Sequence, residues 1–516
     1  MKHNKLLFVV FAILLSMTAS AQVEINGIYY SLSSNGATVV HHDYCHYSGS
    51  IVIPSTVTYN TTIYKVTAIA SEAFVMDGIT SVSIGSNVKT IGSCAFQYCD
   101  ELTSVTIGSR VTTIGSNAFE RCINITSVKI PSSVTTIGEY AFRDCKALKS
   151  ATIGKNVTTI GTGAFYGCSA LKSVTIPNSV TIIGNYVFSR CSSLTSVTIG
   201  NGVTYINDYF LSGSSSLTSV TIGDAVTTIG AGAFSGCSAL KSFTFPDGVE
   251  TIGKEAFSNC SSLTSITIPN SVTTIGEHAF NNCKELKSAT IGNGVKTIGN
   301  GAFSSCSSMN AVHITDLKAW CKIEFTYAAA NPLFYAHHLF MDDKEIKDLV
   351  IPNSVTSIDQ YTFVGCSEIQ TLTIGSNVRE FGNQAFYDMT KLTSITSLIT
   401  NPSPIDNKNL FYNTRSVELV VPAGTKEKYQ GTAGWKDFDT ILEGISLNKT
   451  EAIIKKGKAV SLEATVYPSR LLDKSVKWKS SNTKVATVTD GWVRGIKAGT
   501  ATITCTSNAT GLKTTC

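Results

Sequence analysis

The chain is predicted to be mainly β: a solenoid of stacked 23-residue units with short helical turns, followed by a small β-sandwich. Three observations predict this. A phenylalanine recurs at Phe74, Phe96, Phe119, Phe142, Phe165, Phe188, Phe210, Phe234, Phe257, Phe280, Phe303, Phe363 and Phe386, usually 23 residues apart. Each unit carries a short alternating run such as Ser104-Val105-Thr106-Ile107, and a period of two marks a strand with one buried face. The 516 residues are 43% apolar and only 15% charged, which supplies a sizeable core and argues against disorder.

The N-terminus reads as an export signal. Lys2, His3 and Lys5 form a basic head, residues 6–15 an apolar run, and Ala19-Ser20-Ala21 a small-residue cleavage site. Cleavage is expected after Ala21. That leaves a secreted or cell-surface protein with no later transmembrane segment. Loss of Lys2 and Lys5 lowers a net charge of +5 by two, so the balance gives no electrostatic basis for nucleic acid or an anionic membrane.

The repeated unit follows as I-G-x-x-A-F-x-x-C-x-x-L-x-S-V-T-I-x-x-x-V-T-T. In one copy, residues 104–107 form a strand, 111–114 a second extended piece, and Gly115 turns the chain. Residues 116–122 suit one helical turn that sends Ala118, Phe119 and Cys122 inward. One unit cannot bury its own apolar row, so identical neighbours must stack with parallel sheet. Some units are irregular. Steps of 22 and 24 flank Phe210, the first step is 22, and 60 residues separate Phe303 from Phe363. Gly213 and Met389 stand where the repeat has Cys, Phe381 stands where it has Ile, and Phe411 marks a degenerate unit.

The flanks carry their own signatures: Ile25-Asn26-Gly27-Ile28-Tyr29-Tyr30 with residues 49–54, residues 316–321 (DLKAWC), Asn331-Pro332-Leu333, Leu349-Val350-Ile351-Pro352, Val421-Pro422, Tyr429 and Gly434-Trp435-Lys436-Asp437-Phe438. With the repeats, these resemble the BspA-like class of bacterial leucine-rich repeats over residues 23–443. The resemblance implies an N-terminal cap over 22–70, a leucine-rich-repeat solenoid over 71–443, an enlarged repeat near 310–352 and a closing cap near 395–443.

Ten cysteines share one slot, three residues after the Phe: Cys99, Cys122, Cys145, Cys168, Cys191, Cys237, Cys260, Cys283, Cys306 and Cys366. Export invites a disulfide reading. Stacked equivalents about 4.8 Å apart with parallel Cβ vectors do not meet disulfide geometry. Buried thiols acting as small apolar residues are expected instead. Cys505 and Cys516 are candidates to face each other across a hairpin near residues 508–511.

From residue 444 the 23-residue period ends. Alternating runs at 460–466, 475–479, 485–488 and 501–505 are separated by turn signals, as in a β-sandwich. Gly457, Leu462, Pro468, Val476-Lys477-Trp478, Ser480-Ser481-Asn482, Gly491, Val493, Gly495 and Gly499-Thr500-Ala501 resemble the second group of bacterial immunoglobulin-like domains. That implies an Ig-like module over 444–516 with Trp478 in its core, lacking the last strand that the group usually carries.

No P-loop, HExxH, CxxC or recurring carboxylate pair appears, so no catalytic residue, metal site or cofactor is assigned, and the protein is expected not to be an enzyme. His41-His42-Asp43-Tyr44-Cys45-His46 is the densest set of metal-ligand types, but neighbours on a strand point to opposite faces. What repeats is a face. Ser104, Ser127, Ser150, Ser173, Ser196, Ser219, Ser242, Ser265 and Ser288 form one outward row. Thr106, Lys129, Thr152, Thr175, Thr198, Thr221, Thr244, Thr267 and Thr290 form the other. These residues are the candidate binding face, with Lys129, Tyr205 and Arg110 as odd positions that set specificity. The resemblance implies an adhesin-like protein that recognises host matrix proteins, glycans or other cells. The alternatives are a carbohydrate-active solenoid enzyme and a structural surface component.

Overall fold

The computed structural model describes residues 22–42, 46–405, 409–412, 416–468 and 471–516; the expected export signal lies outside them. Among these residues no helix is long and apolar enough to cross a membrane. The chain forms two compact bodies, one ending at Leu263 and the other beginning at Thr264.

The first body opens on antiparallel strands Gln22–Ile25, Ile28–Ser33 and Gly36–Val39. It continues as stacked coils, most of them with two short parallel strands. One ladder joins Thr90–Ile91, Thr113–Ile114, Thr136–Ile137, Thr159–Ile160 and Ile182–Ile183, each residue lying opposite its counterpart in the next unit. The face strands pair in three runs: Ser48–Ile53 with Gly78–Ile84 and Ser104–Thr106; Ser127–Lys129 with Ser150–Thr152; and Ser173–Ile176 with Ser196–Ile199 and Ser219–Thr221.

The core is a column of rings. Phe74, Phe96, Phe119, Phe142, Phe165 and Phe188 are wholly buried, with adjacent centroids 5.0, 5.1, 5.3, 5.2 and 5.4 Å apart and nearly parallel planes. This spacing is the rung spacing of a parallel sheet, so one ring per unit fills the interior. Tyr47 closes the start of the column against Phe74 at 4.8 Å.

The segment expected as a helical turn is instead a run of linked β-turns. Asn117 and Arg121 have φ of 57° and 58°, a left-handed conformation that interrupts any helix. The N–H groups of Ala118, Glu120 and Cys122 donate to carbonyls three residues back. Those of Asn117, Phe119 and Arg121 donate to Glu139, Ala141 and Arg143 of the next unit. A helix would have kept these donors to itself, whereas the turns use alternate ones to tie units together.

The irregularity around Phe210 is one of side chains. Leu211, not Phe210, takes the ring slot: its N–H bonds Ala233 and its carbonyl accepts from the Cys237 thiol. Phe210 fills the preceding small-residue slot and meets Phe188 edge-on at 5.5 Å. The 23-residue step therefore holds, and the Cys slot falls on Ser214 rather than on Gly213.

Gly138 shows why the corner of the unit favours glycine. A Cβ there would lie 2.5 Å from the carbonyl carbon of Gly115 and from the nitrogen of Ser116, both backbone atoms. Asn207 occupies the equivalent corner in a later unit, and there Ile182–Ile183 and Tyr205–Ile206 belong to different sheets. Gly138→Val is expected to cost about 3 kcal/mol through forced separation of backbones. An unchanged urea midpoint would contradict this.

The second body is also built of coils. Ser265–Thr267, Ser288–Ile291, Ala311–Ile314 and Leu339–Met341 pair in parallel, as do Asp348–Val350, Thr371–Ile374, Ser394–Ser397, Glu418–Val421 and Ile441–Glu443. The enlarged repeat inserts a helix, Leu317–Trp320, capped by Asp316, which accepts from the N–H groups of Lys318 and Ala319. Trp320 and Asn331 both donate to the carbonyl of Thr362, which fixes the insertion to the next coil. Phe363, Phe386 and Phe411 continue a ring column, on which Phe438 packs at 5.2 Å and Trp435 at 5.7 Å. Met389 fills the Cys slot, buried.

Gly444 alone separates the last coil strand from Ile445–Leu447, the first strand of the C-terminal sandwich. A Cβ at Gly444 would strike Leu512 and Val420, because the two parts share one apolar cluster of Val420, Ile445, Val466, Cys505 and Leu512. Trp478 is half-buried and packs against this cluster and against a second one around Leu462 and Ile503. In the hairpin of Ile503–Ser507 and Lys513–Thr515, Cys505 lies opposite Thr514. The register therefore does not set Cys505 against Cys516, and both are free thiols.

Candidate functional site

The outward rows lie where strand alternation sends them. In the first body Ser104, Thr106, Ser127, Lys129, Ser150, Thr152, Ser173, Thr175, Thr198, Ser219 and Thr221 are exposed, and Ser196 is half-buried. Equivalent side chains face each other across the ladder, Ser173 to Ser196 to Ser219 and Thr175 to Thr198 to Thr221. An open groove runs beside the threonine row, lined by Asn178, Asn201 and Asp224 among others. In the second body Ser265 and Thr267 are exposed, while Ser288 and Thr290 are half-buried.

The expected continuity of the rows is corrected at Ser242 and Thr244. Both are exposed, but residues 241–246 form no strand. Phe243 and Phe245 stand where other units have Val and Ile. Phe243 packs edge-on against Phe234 at 5.0 Å and Phe257 at 4.7 Å, and Phe245 meets Phe257 at 5.6 Å. Two rings in slots sized for branched aliphatics hold the backbone out of pairing.

Behind the face runs a thiol ladder. Cys99, Cys122, Cys145, Cys168 and Cys191 each donate Sγ–H to the carbonyl of the Phe one unit earlier, at 2.9, 3.0, 3.2, 3.1 and 3.3 Å. Ser214 makes the same bond to Phe188 at 3.0 Å. Burial pushes the thiols of Cys99, Cys191 and Cys260 up to about 12. Such thiols are poor nucleophiles and poor metal ligands.

Of the histidines, His42 stacks on Tyr29 at 3.9 Å, and His46 lies 3.5 Å from the buried carboxylate of Asp77. Burial raises the Asp77 carboxyl above its usual range, and Tyr47 N–H donates to it. Asp43, Tyr44 and Cys45 lie outside the described residues. His338, Glu345 and Glu368 come near enough to hold one ion. Both carboxylates already have ammonium partners, however: Lys391 at 2.6 Å from Glu368 and Lys347 at 3.6 Å from Glu345. His337 lies 2.9 Å from the carbonyl of Gly365.

A second surface, on the turns, was not visible in the repeat consensus because it is made of the unit's variable positions. Arg121 lies over the ring of Tyr98 at 5.3 Å, Arg143 between Tyr140 at 5.3 Å and Tyr166 at 5.6 Å, and Arg190 over Tyr166 at 5.5 Å. Tyr186 and Tyr209 stack at 5.0 Å. The ring of Tyr140 lies where Gly163 would carry a Cβ. Arg143 is paired with Glu120 and Asp144. Of the odd positions, Arg110 bonds Asn87 at 3.0 Å, and Tyr205 is exposed on the other ladder.

Comparison with known proteins places these coils. The profile described as BspA type leucine rich repeat region matches residues 67–195, 112–241, 182–310 and 336–431. The profile of the bacterial Ig-like domain (group 2) matches 441–516. A leucine-rich repeat protein from Bacteroides ovatus is 27% identical with a TM-score of 0.55, covering 72% of this chain and 94% of that one. Shorter matches reach two enzymes of Bifidobacterium longum subsp. longum. One is a 3-O-alpha-D-galactosyl-alpha-L-arabinofuranosidase, 50% identical over 68 residues, and the other an alpha-L-arabinofuranosidase, 46% identical over 71 residues. These cover 13% and 14% of this chain, which spans only 6% of the length of either enzyme.

Proposed function

This chain belongs to the BspA type leucine rich repeat family, and from that membership we propose that it is an exported, adhesin-like binding protein of the cell exterior. Its ligands in this reading are matrix proteins, glycans or other cells, and its Ig-like module serves as spacer or anchor. The observation that carries the reading is the paired set Ser173–Ile176, Ser196–Ile199 and Ser219–Thr221. There hydroxyls stand at matching positions on three neighbouring rungs, exposed but for the half-buried Ser196, and nearly uncharged. Short side chains on a fixed sheet lose little entropy when a partner covers them, so modest contacts sum across rungs.

Binding of the full chain to a panel of immobilised matrix proteins and mucin glycans tests this. Saturable binding is expected. Thr175→Lys, Thr198→Lys and Thr221→Lys together should weaken it about tenfold or more by placing desolvated like charges at the contact. These positions are exposed, so the melting temperature should fall by only a few degrees, through repulsion between lysines on adjacent rungs. Turnover of a glycan, or binding unaffected by the triple change, would overturn the reading.

A further inference from the structure

We propose that the tyrosine–arginine edge of the first body is a recognition site for an acidic polysaccharide, one carrying carboxylate or sulfate groups between its hydroxyls. The inference goes beyond the binding reading above and concerns a different surface.

Three of the chain's eight arginines lie on this edge, each over a tyrosine ring. Arg143 is committed to Glu120 and Asp144. Arg121 and Arg190 are exposed and have no ion-pair partner among the described residues. All six Asp and Glu of residues 98–213 (Asp100, Glu101, Glu120, Glu139, Asp144 and Asp208) lie on the turns with these arginines, and Arg143 takes up two of them, which leaves Arg121 and Arg190 as the guanidiniums open to an outside anion. A guanidinium near a ring face is steadied there while its N–H groups remain able to bind. That arrangement suits the two oxygens of a carboxylate or sulfate.

The ligand's form follows from the edge. Arg121 and Arg190 occupy units three steps apart, about 14 Å along the stack, so two anions of one ligand must be well separated. Between them lie half-exposed tyrosines, whose hydroxyls donate and accept. Gly163 and Gly167 are filled over by Tyr140 and Asp144, so this stretch offers no recess for a protein side chain. A polymer of hydroxyl-bearing rings with spaced anions meets these conditions better than an acidic peptide does.

The test measures binding of the full chain to heparin and polygalacturonate, with neutral dextran and poly-glutamate alongside. Wild type should bind the two acidic polysaccharides and not dextran. Arg121→Gln with Arg190→Gln should weaken binding about tenfold or more, and Arg190→Lys should recover only part, because the ammonium lacks the fork. Lys155→Gln with Lys172→Gln removes the same charge from neighbouring exposed positions and should change affinity by less than about threefold. Absence of polysaccharide binding would overturn the proposal. Equal loss from the lysine pair would do so too, as would tight binding of poly-glutamate alone. Matrix-protein binding that needs the threonine row, together with no polysaccharide binding by wild type, would leave the broader reading standing while this one fell.

Discussion

Phe142→Ala is expected to lower stability by about 3–5 kcal/mol, the range for removing a fully buried aromatic ring. Phe142 is wholly buried between Phe119 at 5.3 Å and Phe165 at 5.2 Å. Its loss strips both neighbours of a stacking surface at once. Units of a stack touch only the units beside them, so the damage should begin locally. Amide exchange should speed first over the units of Phe119, Phe142 and Phe165. Phe142→Leu should cost less, about 1–2 kcal/mol, since Leu211 already occupies this slot in a later unit. A Phe142→Ala cost no larger than about 0.5 kcal/mol, typical of surface changes, would refute the column as the source of stability.

Alkaline pH is expected to destabilise the protein steeply from about pH 9. The folded thiols of Cys99, Cys191 and Cys260 are pushed up to about 12 by burial. In the unfolded chain a thiol titrates near 8.5–9. Below that range both states keep the proton and stability is unaffected. Between it and pH 12 the unfolded chain releases protons that the fold retains, so stability falls as pH rises. Each such thiol contributes about 1.4 kcal/mol per pH unit. The triple variant Cys99→Ser, Cys191→Ser, Cys260→Ser should make the profile shallower without abolishing it, since burial also raises Cys122, Cys145, Cys168, Cys237 and Cys366. Serine can keep the bond to the carbonyl, as Ser214 does with Phe188. Urea midpoints from pH 8 to 10.5 in both proteins provide the check, and identical slopes would rule out the thiols as the cause.

Much of the coil was legible because its physics is one-dimensional. Phe, Cys, Val and Ile at fixed steps had to be shielded by copies of themselves, and the structure buries them in that way. The turn conformation was not legible. Ala118, Phe119 and Cys122 point inward in a helical turn and in linked β-turns alike, and only the positive φ of Asn117 and Arg121 separates the two. The Phe210 unit misled for a related reason: identity drew the register to a phenylalanine, whereas backbone bonding follows Leu211. The face rows were visible as strand alternation, but the break at Phe243 and Phe245 is a matter of volume, which a hydrophobic pattern does not encode. The tyrosine–arginine edge was hidden because consensus reading discards the positions at which units differ.

The single glycine between the last coil strand and the sandwich has a mechanical consequence. With Val420, Ile445 and Leu512 in one cluster, the C-terminal module has no slack tether to the coils it follows. Tension applied through that module would load the strand Ile441–Glu443 and its hydrogen bonds to Glu418–Val421 directly. The joint would behave as a stiff coupling, passing a tug on one part to the other with little stretch between.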